Sequence, residues 1–272
     1  MNDETLERLK STELEILLAV KAVCEKYDIT FFLDSGTLLG AARHQGFIPW
    51  DDDVDIAMPR TDYERFLQIA QAELGDKYFV QTKETDSHSI TPFAKIRKNG
   101  TVMLENAGSK TSAHHGIWID VFPFDPIDDS DENFSKKGKQ WRFWHKLHGL
   151  RSVNVASKGT GTVKSLARKV VRLPLFVFSE RFYLGKIEDL RENDVFVPGK
   201  ALTCFYYYTA FIRLSYDDVF PVKTLPFEGY DMPVISSWEK YLTDVYGDWK
   251  SLPPVEKRVT HDVLKIDFGD SN

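Results

Sequence analysis

Along the first turns of the chain Leu6, Leu9, Leu14, Leu17, Leu18 and Cys24 recur at intervals close to three and four among charged neighbours. That period predicts an amphipathic helix over 3–27, with one face on a core and the other in water. The pattern then shortens. Residues 29–33 are a β-rich apolar run, Ser35-Gly36 breaks it, and 37–43 reads as a short helix. A second strand is expected at 54–58, ended by Pro59, with Thr61 or Asp62 able to cap a helix over 63–74. Four further strands follow at 78–82, 93–97, 101–105 and 117–122, and Asn99-Gly100 is a tight-turn signal between the middle two. Residues 125–132 read as an acidic loop that includes Asp125. Beyond it the pattern is mostly helical, with a last clear helix at 238–246 closed by Gly247 and then Pro253-Pro254.

Helix, strand, helix, strand, helix and then several strands is the order of an α+β fold, a mixed β-sheet flanked by helices. Two regions are expected: 1–132 as the core, and 133–272 as a mainly helical part that completes the active site. At 272 residues, 42% of them hydrophobic and 13% aromatic, the chain can bury a sizeable core. Cys24 and Cys204 are too few for a disulfide framework, and neither has metal-ligand spacing. The charged, helical N-terminus does not resemble a signal peptide, and no apolar run approaches the roughly 20 residues of a membrane span. A cytoplasmic protein is expected, at most peripheral to the inner face of the cell membrane.

Charge changes the picture in two places. A net charge of −6 argues against nucleic acid as a partner. Yet residues 133–179 contain no Asp or Glu and eleven Lys or Arg, whereas the remainder carries 24 basic against 41 acidic residues. Within the basic segment Lys164, Arg168, Lys169 and Arg172 interleave with Leu166, Val170, Val171 and Leu173, the pattern of a helix that can lie on an anionic membrane.

The second place is Asp51-Asp52-Asp53-Val54-Asp55. Carboxylates this dense repel one another unless a cation sits between them. On a strand, Asp53 and Asp55 project from one face while Val54 and Ile56 enter the core, which suits shared Mg²⁺, with Mn²⁺ as the alternative. A calcium loop is excluded, because its sixth position would be Ile56 and its twelfth Asp62. Asp120 is a lone acid in the apolar run Trp118-Ile119-Asp120-Val121-Phe122 and is the expected third carboxylate. Ser35-Gly36-Thr37, at a strand-to-helix turn, offers backbone N–H groups to phosphate oxygens. Arg43 and His44 lie one to two helical turns on, and Lys95 and Arg97 share one strand face from which they can neutralise phosphate.

The stretch Gly36-Thr37-Leu38-Leu39-Gly40-Ala41, then Arg43-His44, then Gly46-Phe47-Ile48-Pro49-Trp50-Asp51-Asp52-Asp53-Val54-Asp55-Ile56 closely resembles the signature of the LicD family. Weaker matches follow in order at Ile119-Asp120-Val121-Phe122-Pro123, Phe227-Glu228-Gly229, Tyr246-Gly247-Asp248, Leu252-Pro253-Pro254 and Arg258 with His261. The resemblance implies a nucleotidyltransferase-like fold and transfer of a phosphoalkyl group from CDP-choline or another CDP-alcohol to a sugar or lipid-linked glycan acceptor. A quaternary ammonium cargo would need aromatic faces, for which Trp118, Trp141, Trp144 and the run 205–208 are the candidates. It implies Asp53, Asp55 and Asp120 as metal ligands, Ser35, Gly36 and Thr37 near the phosphates, Arg43, His44, Lys95, Arg97 and Arg258 toward the donor, and Asp120 or His261 as the base. Seventeen positions separate Gly36 from Asp53, more than in the wider nucleotidyltransferase pattern, so the insertion is expected to build part of the pocket. An enzyme of the same fold that attacks the α-phosphorus, and a non-catalytic binding scaffold, are the competing readings. The scaffold is disfavoured by the carboxylate crowding it would have to carry.

Overall fold

In the computed structural model, which describes residues 1–106, 109, 111–152, 173–192, 195–207, 210–258 and 260–270, helix α1 (Asp3–Lys26) begins at Asn2. The Asn2 side chain accepts from the Thr5 amide at 2.8 Å. Asp3 and Glu4 in the first turn and Lys26 in the last suit the helix dipole. Leu9, Ile16, Leu17 and Val20 are wholly buried on the inner face, and Glu13 shares that stripe. This face packs on helix α3 (Arg60–Leu74) and on the sheet.

The sheet is mixed. Strands β1 (Phe32–Leu33), β2 (Asp55–Pro59), β3 (Tyr78–Gln81), β4 (Ala94–Lys98) and β6 (Trp118–Asp128) lie in the order β1-β2-β6-β4-β3. Strand β2 runs parallel to β6, and the other pairs among the described residues are antiparallel. Helix α2 (Ser35–His44) links β1 to the loop that enters β2. Helix α3 starts directly from Pro59 without a side-chain cap, two to three residues before the expected Thr61 or Asp62, since the fixed φ of proline already turns the chain toward helix.

Strand β6 is longer than its sequence pattern suggested. The first half sits between β2 and β4, and the second half pairs with β7 (Lys200–Thr203), which in turn pairs with β8 (Leu214–Ser215). The expected loop at 125–132 is therefore corrected: β6 continues through Asp128, and Asp125 is fully buried in it. Arg60 grips Asp125 with Nε at 2.8 Å and Nη2 at 3.1 Å, and Arg191 Nε adds a bond at 2.9 Å. Two guanidinium groups on one carboxylate offset its desolvation. The Asn99-Gly100 turn is present, but strand β5 (Val102–Glu105) does not fold back on β4. Both edges of β4 are taken, and β5 pairs instead with β11 (Val263–Asp267).

In the second half, helix α4 (Asp131–Ser152) and helix α5 (Glu180–Glu188) enclose a small core of Ile127, Trp141, Leu184, Ile187 and Phe205. Helix α6 (Tyr216–Val219), the hairpin of β9 (Lys223–Phe227) and β10 (Tyr230–Val234), and helix α7 (Trp238–Tyr246) follow. Among the described residues helix outweighs strand here, although strands β7 to β11 are too short to leave a periodic signature. The basic stretch 164–172 lies outside the described residues. No helix of the described residues is long and apolar enough to cross a membrane.

Candidate active site

Parallel pairing of β2 on β6 sets Asp55 directly beside Asp120, and antiparallel pairing of β4 on β6 sets Lys95 on the other side of Asp120. The alternation of a strand then decides what faces what. Val54 and Ile56 are wholly buried in the core, while Asp53, Asp55 and Asp120 line a cavity of 670 Å³. Lys95 Nζ bonds Asp120 Oδ1 at 2.5 Å, and its ammonium rests 4.4 Å from the Trp118 ring centroid. Two residues along the same face of β6, Phe122 continues the cavity wall.

Loop 45–54 is fixed from behind. Glu228, in the turn of the β9–β10 hairpin, accepts the Phe47 N–H at 3.0 Å, and a Cβ on Gly46 would fall 2.2 Å from Glu228 Oε1. Lys10 donates to the Pro49 carbonyl at 3.0 Å. Asp52 is buried and binds His261 twice, through the His261 N–H at 3.0 Å and through Nδ1 at 3.0 Å. The other ring nitrogen, Nε2, lies 3.9 Å from both Asp53 and Glu105. Asp52, Asp53 and His261 each offer an atom within 4.8 Å of the others.

The electrostatics are those of an acid cluster short of cations. Burial, then Asp53 and Asp52, push Asp51 up to about 8. Burial raises Asp53 to about 6, with His261 opposing and Asp120 adding. Asp55 is held well above the carboxylate range by burial and then by Asp53 and Asp120. Glu13 is also raised strongly, by burial first and then by Asp53 and Asp52, and its Oε2 is buried without a hydrogen-bond partner. His261 is raised to about 9, chiefly by its bond to Asp52. Hard oxygen donors in mutual repulsion fit a divalent cation such as Mg²⁺.

Asp34 was not expected from the sequence. Buried at the start of α2, it leaves the helix N-terminus uncapped and instead accepts from Tyr241 Oη at 2.6 Å and from Tyr207 Oη. Burial raises it to about 6 against the Tyr241 bond. Both tyrosines line the cavity, together with Phe93, Phe122, Tyr206 and Tyr246. Tyr207 meets Phe122 edge-on at 5.3 Å.

The remaining expected residues are placed as follows. Ser35 lines the cavity in a left-handed conformation, φ 46°, a strained state for a side-chain-bearing residue. Gly36 lies against Asp51, where a Cβ would approach Oδ2 to 2.9 Å. Thr37 is buried, and its hydroxyl accepts the Asp55 N–H at 2.8 Å. Arg43 turns away to the Trp249 carbonyl at 2.9 Å and to His44 at 3.0 Å, so neither residue reaches the cavity wall. Arg97 is buried, bonded to Gln81 and to the Gly116 carbonyl, and lines a smaller 210 Å³ cavity with Lys95. Arg258 stacks 4.2 Å over Trp50. Of the aromatic candidates, Trp118, Trp141 and Phe205 are core residues, Tyr206 and Tyr207 line the cavity, and Tyr208 lies outside the described residues.

With this geometry in place, the comparison with known proteins is direct: residues 28–158 match the LicD/FKTN/FKRP nucleotidyltransferase domain. The chain carries a LicD-family nucleotidyltransferase domain. It is similar to the lipopolysaccharide cholinephosphotransferase LicD of Haemophilus influenzae, 28% identical over 97% of this chain and 98% of that protein. A shorter stretch of 56 residues is 43% identical to the human and mouse ribitol 5-phosphate transferase FKRP, covering 21% of this chain and 11% of theirs. The chain is an enzyme, a transferase of substituted phosphate groups.

Proposed function

We propose that this enzyme transfers phosphocholine, or a close phosphoalkyl group, from a CDP-linked donor to a sugar hydroxyl of a cell-surface glycan precursor such as lipopolysaccharide or teichoic acid, releasing CMP. The observation that carries the reading is one cavity with two chemistries. Asp120 and Phe122 are alternate residues on one face of β6, about 7 Å apart along the strand. A phosphate and a quaternary ammonium joined by two carbons lie somewhat closer together than this, so both ends of one such group can be met along this wall. With a divalent ion bound, the acids would hold the phosphate end, and the tyrosines and phenylalanines would meet the ammonium.

Asp53, Asp55 and Asp120 would hold a divalent ion, with Asp52 and His261 beside it. Such an ion supplies charge neutralisation of the diphosphate and Lewis-acid polarisation of the phosphorus. Lys95 and His261 carry the positive charge that the chain itself places around the cavity. The acceptor oxygen forms a bond to the distal phosphorus while the bond from that phosphorus to the CMP oxygen breaks. The hydroxyl proton goes to a nearby base. Between the two candidates Asp120 is favoured, because Asp52 keeps His261 protonated at neutral pH, where it serves better to stabilise negative charge than to take a proton.

The test is CMP release from a panel of CDP-alcohols with Mg²⁺ and a glycan acceptor. CDP-choline is expected to be the preferred donor. Tyr207→Ala should raise its KM roughly tenfold while changing CDP-glycerol turnover little. Equal loss with both donors would remove the aromatic wall from donor choice.

A further inference from the structure

Helix α4 has two faces with different tasks. Trp141 and His145 point inward and donate to the Phe205 carbonyl, at 3.2 Å and 2.8 Å, next to the cavity-lining Tyr206. Lys136, Lys139, Arg142, Phe143 and Lys146 are exposed, and their spacing of three and four places them in one outer stripe. Phe143 is 55% exposed within it. A chain of ring contacts leads from Phe143 to Trp144 at 5.0 Å, on to Phe182 at 6.3 Å, and to Phe178 at 4.3 Å. Arg151 fixes the far end, donating to the Phe178 carbonyl at 3.1 Å with its guanidinium 5.1 Å from the Phe176 ring. Phe176, Val177 and Phe178 are 53%, 78% and 48% exposed. Large apolar side chains gathered this closely are seldom left in water.

We propose that this surface, the outer stripe of α4 together with residues 176–178, docks the enzyme on an anionic lipid bilayer. Charge selects that occupant. No acid occurs from 133 to 179, whereas the cations that flank the rings are suited to phosphate headgroups. The exposed phenylalanines enter the boundary between headgroups and acyl chains. A second copy is disfavoured, since a two-fold contact would set the same basic stripe against itself. Docking by α4 would hold the buttress of the Tyr206 and Tyr207 wall at the membrane, where a lipid-linked acceptor is displayed. Lipid binding itself does not depend on the donor assigned above.

Co-sedimentation of the full chain with vesicles of phosphatidylcholine alone, or mixed with phosphatidylglycerol, tests the proposal. Binding to mixed vesicles is expected to be at least roughly tenfold tighter and to weaken with salt. The double variant Phe143→Ser with Phe178→Ser should lose roughly tenfold in binding, with an unchanged melting temperature and unchanged CMP release on a soluble acceptor. Lys139→Glu with Lys146→Glu should abolish the preference for phosphatidylglycerol. Equal binding to neutral vesicles, insensitivity to both double variants, or a dimer in light scattering that the phenylalanine variant dissociates would each overturn it.

Discussion

Asp55 is costly to the unliganded fold. It is removed from bulk water and set beside Asp53 and Asp120, which is why its proton is held so far above the carboxylate range. Asp55→Asn should therefore leave the melting temperature in chelator unchanged or higher, because one repelling charge is gone, while CMP release falls at least about a hundredfold. A lower melting temperature would mean that the carboxylate supports the fold. The pair Asp53 and Asp55 was legible from alternation, and Asp120 from its isolation in an apolar run. Glu13 carried a signal of its own, since it lies four residues from both Leu9 and Leu17 on the helix face that enters the core. Asp34 carried none. Its partners Tyr207 and Tyr241 lie 173 and 207 residues away, beyond any local pattern.

Elements make the site by pairing, and the pairings were less legible than the elements. The periods of α1, α3 and α7 predicted those helices to within a few residues. Strand β5 was placed correctly, but its partner β11 could not be read, because a strand is chosen by which edges remain free. Asp125 shows the same limit: its acidity suggested a loop, and only the arrival of Arg60 from α3 and of Arg191 makes a buried strand position tolerable. Asp125→Ala leaves two largely buried guanidinium groups without their carboxylate, and is expected to cost about 3–5 kcal/mol in urea unfolding. The β9–β10 hairpin acts on the acids at one remove. Glu228→Ala frees the Phe47 N–H and should cost about 1–3 kcal/mol. It should also lower CMP release through the loosened loop, whereas Glu228→Gln, which can still accept that bond, should recover much of both.

For the whole molecule, acid crowding ties stability to pH and to cations. His261 has a folded pKa raised from 6.5 to about 9, so the stability from its pairing with Asp52 is complete below 6.5 and is lost as pH rises through about 9. Asp34 is raised from 3.8 to about 6 and Asp51 from 3.8 to about 8; each favours the fold when protonated, and that contribution is also lost as pH rises. All three act in one direction. In chelator the melting temperature should fall from pH 6 to pH 9, and Mg²⁺ should raise it more at pH 8 than at pH 6, as followed by scanning calorimetry. A magnesium shift independent of pH would separate the cation from these carboxylates.

The central assignment is which phosphorus is attacked, and the products decide it. The wild-type enzyme, Mg²⁺, CDP-choline and a glycan acceptor should be incubated together and both products identified by mass spectrometry. Free CMP and an acceptor heavier by phosphocholine are the expected pair. An acceptor carrying CMP, with phosphocholine set free, would contradict the assignment.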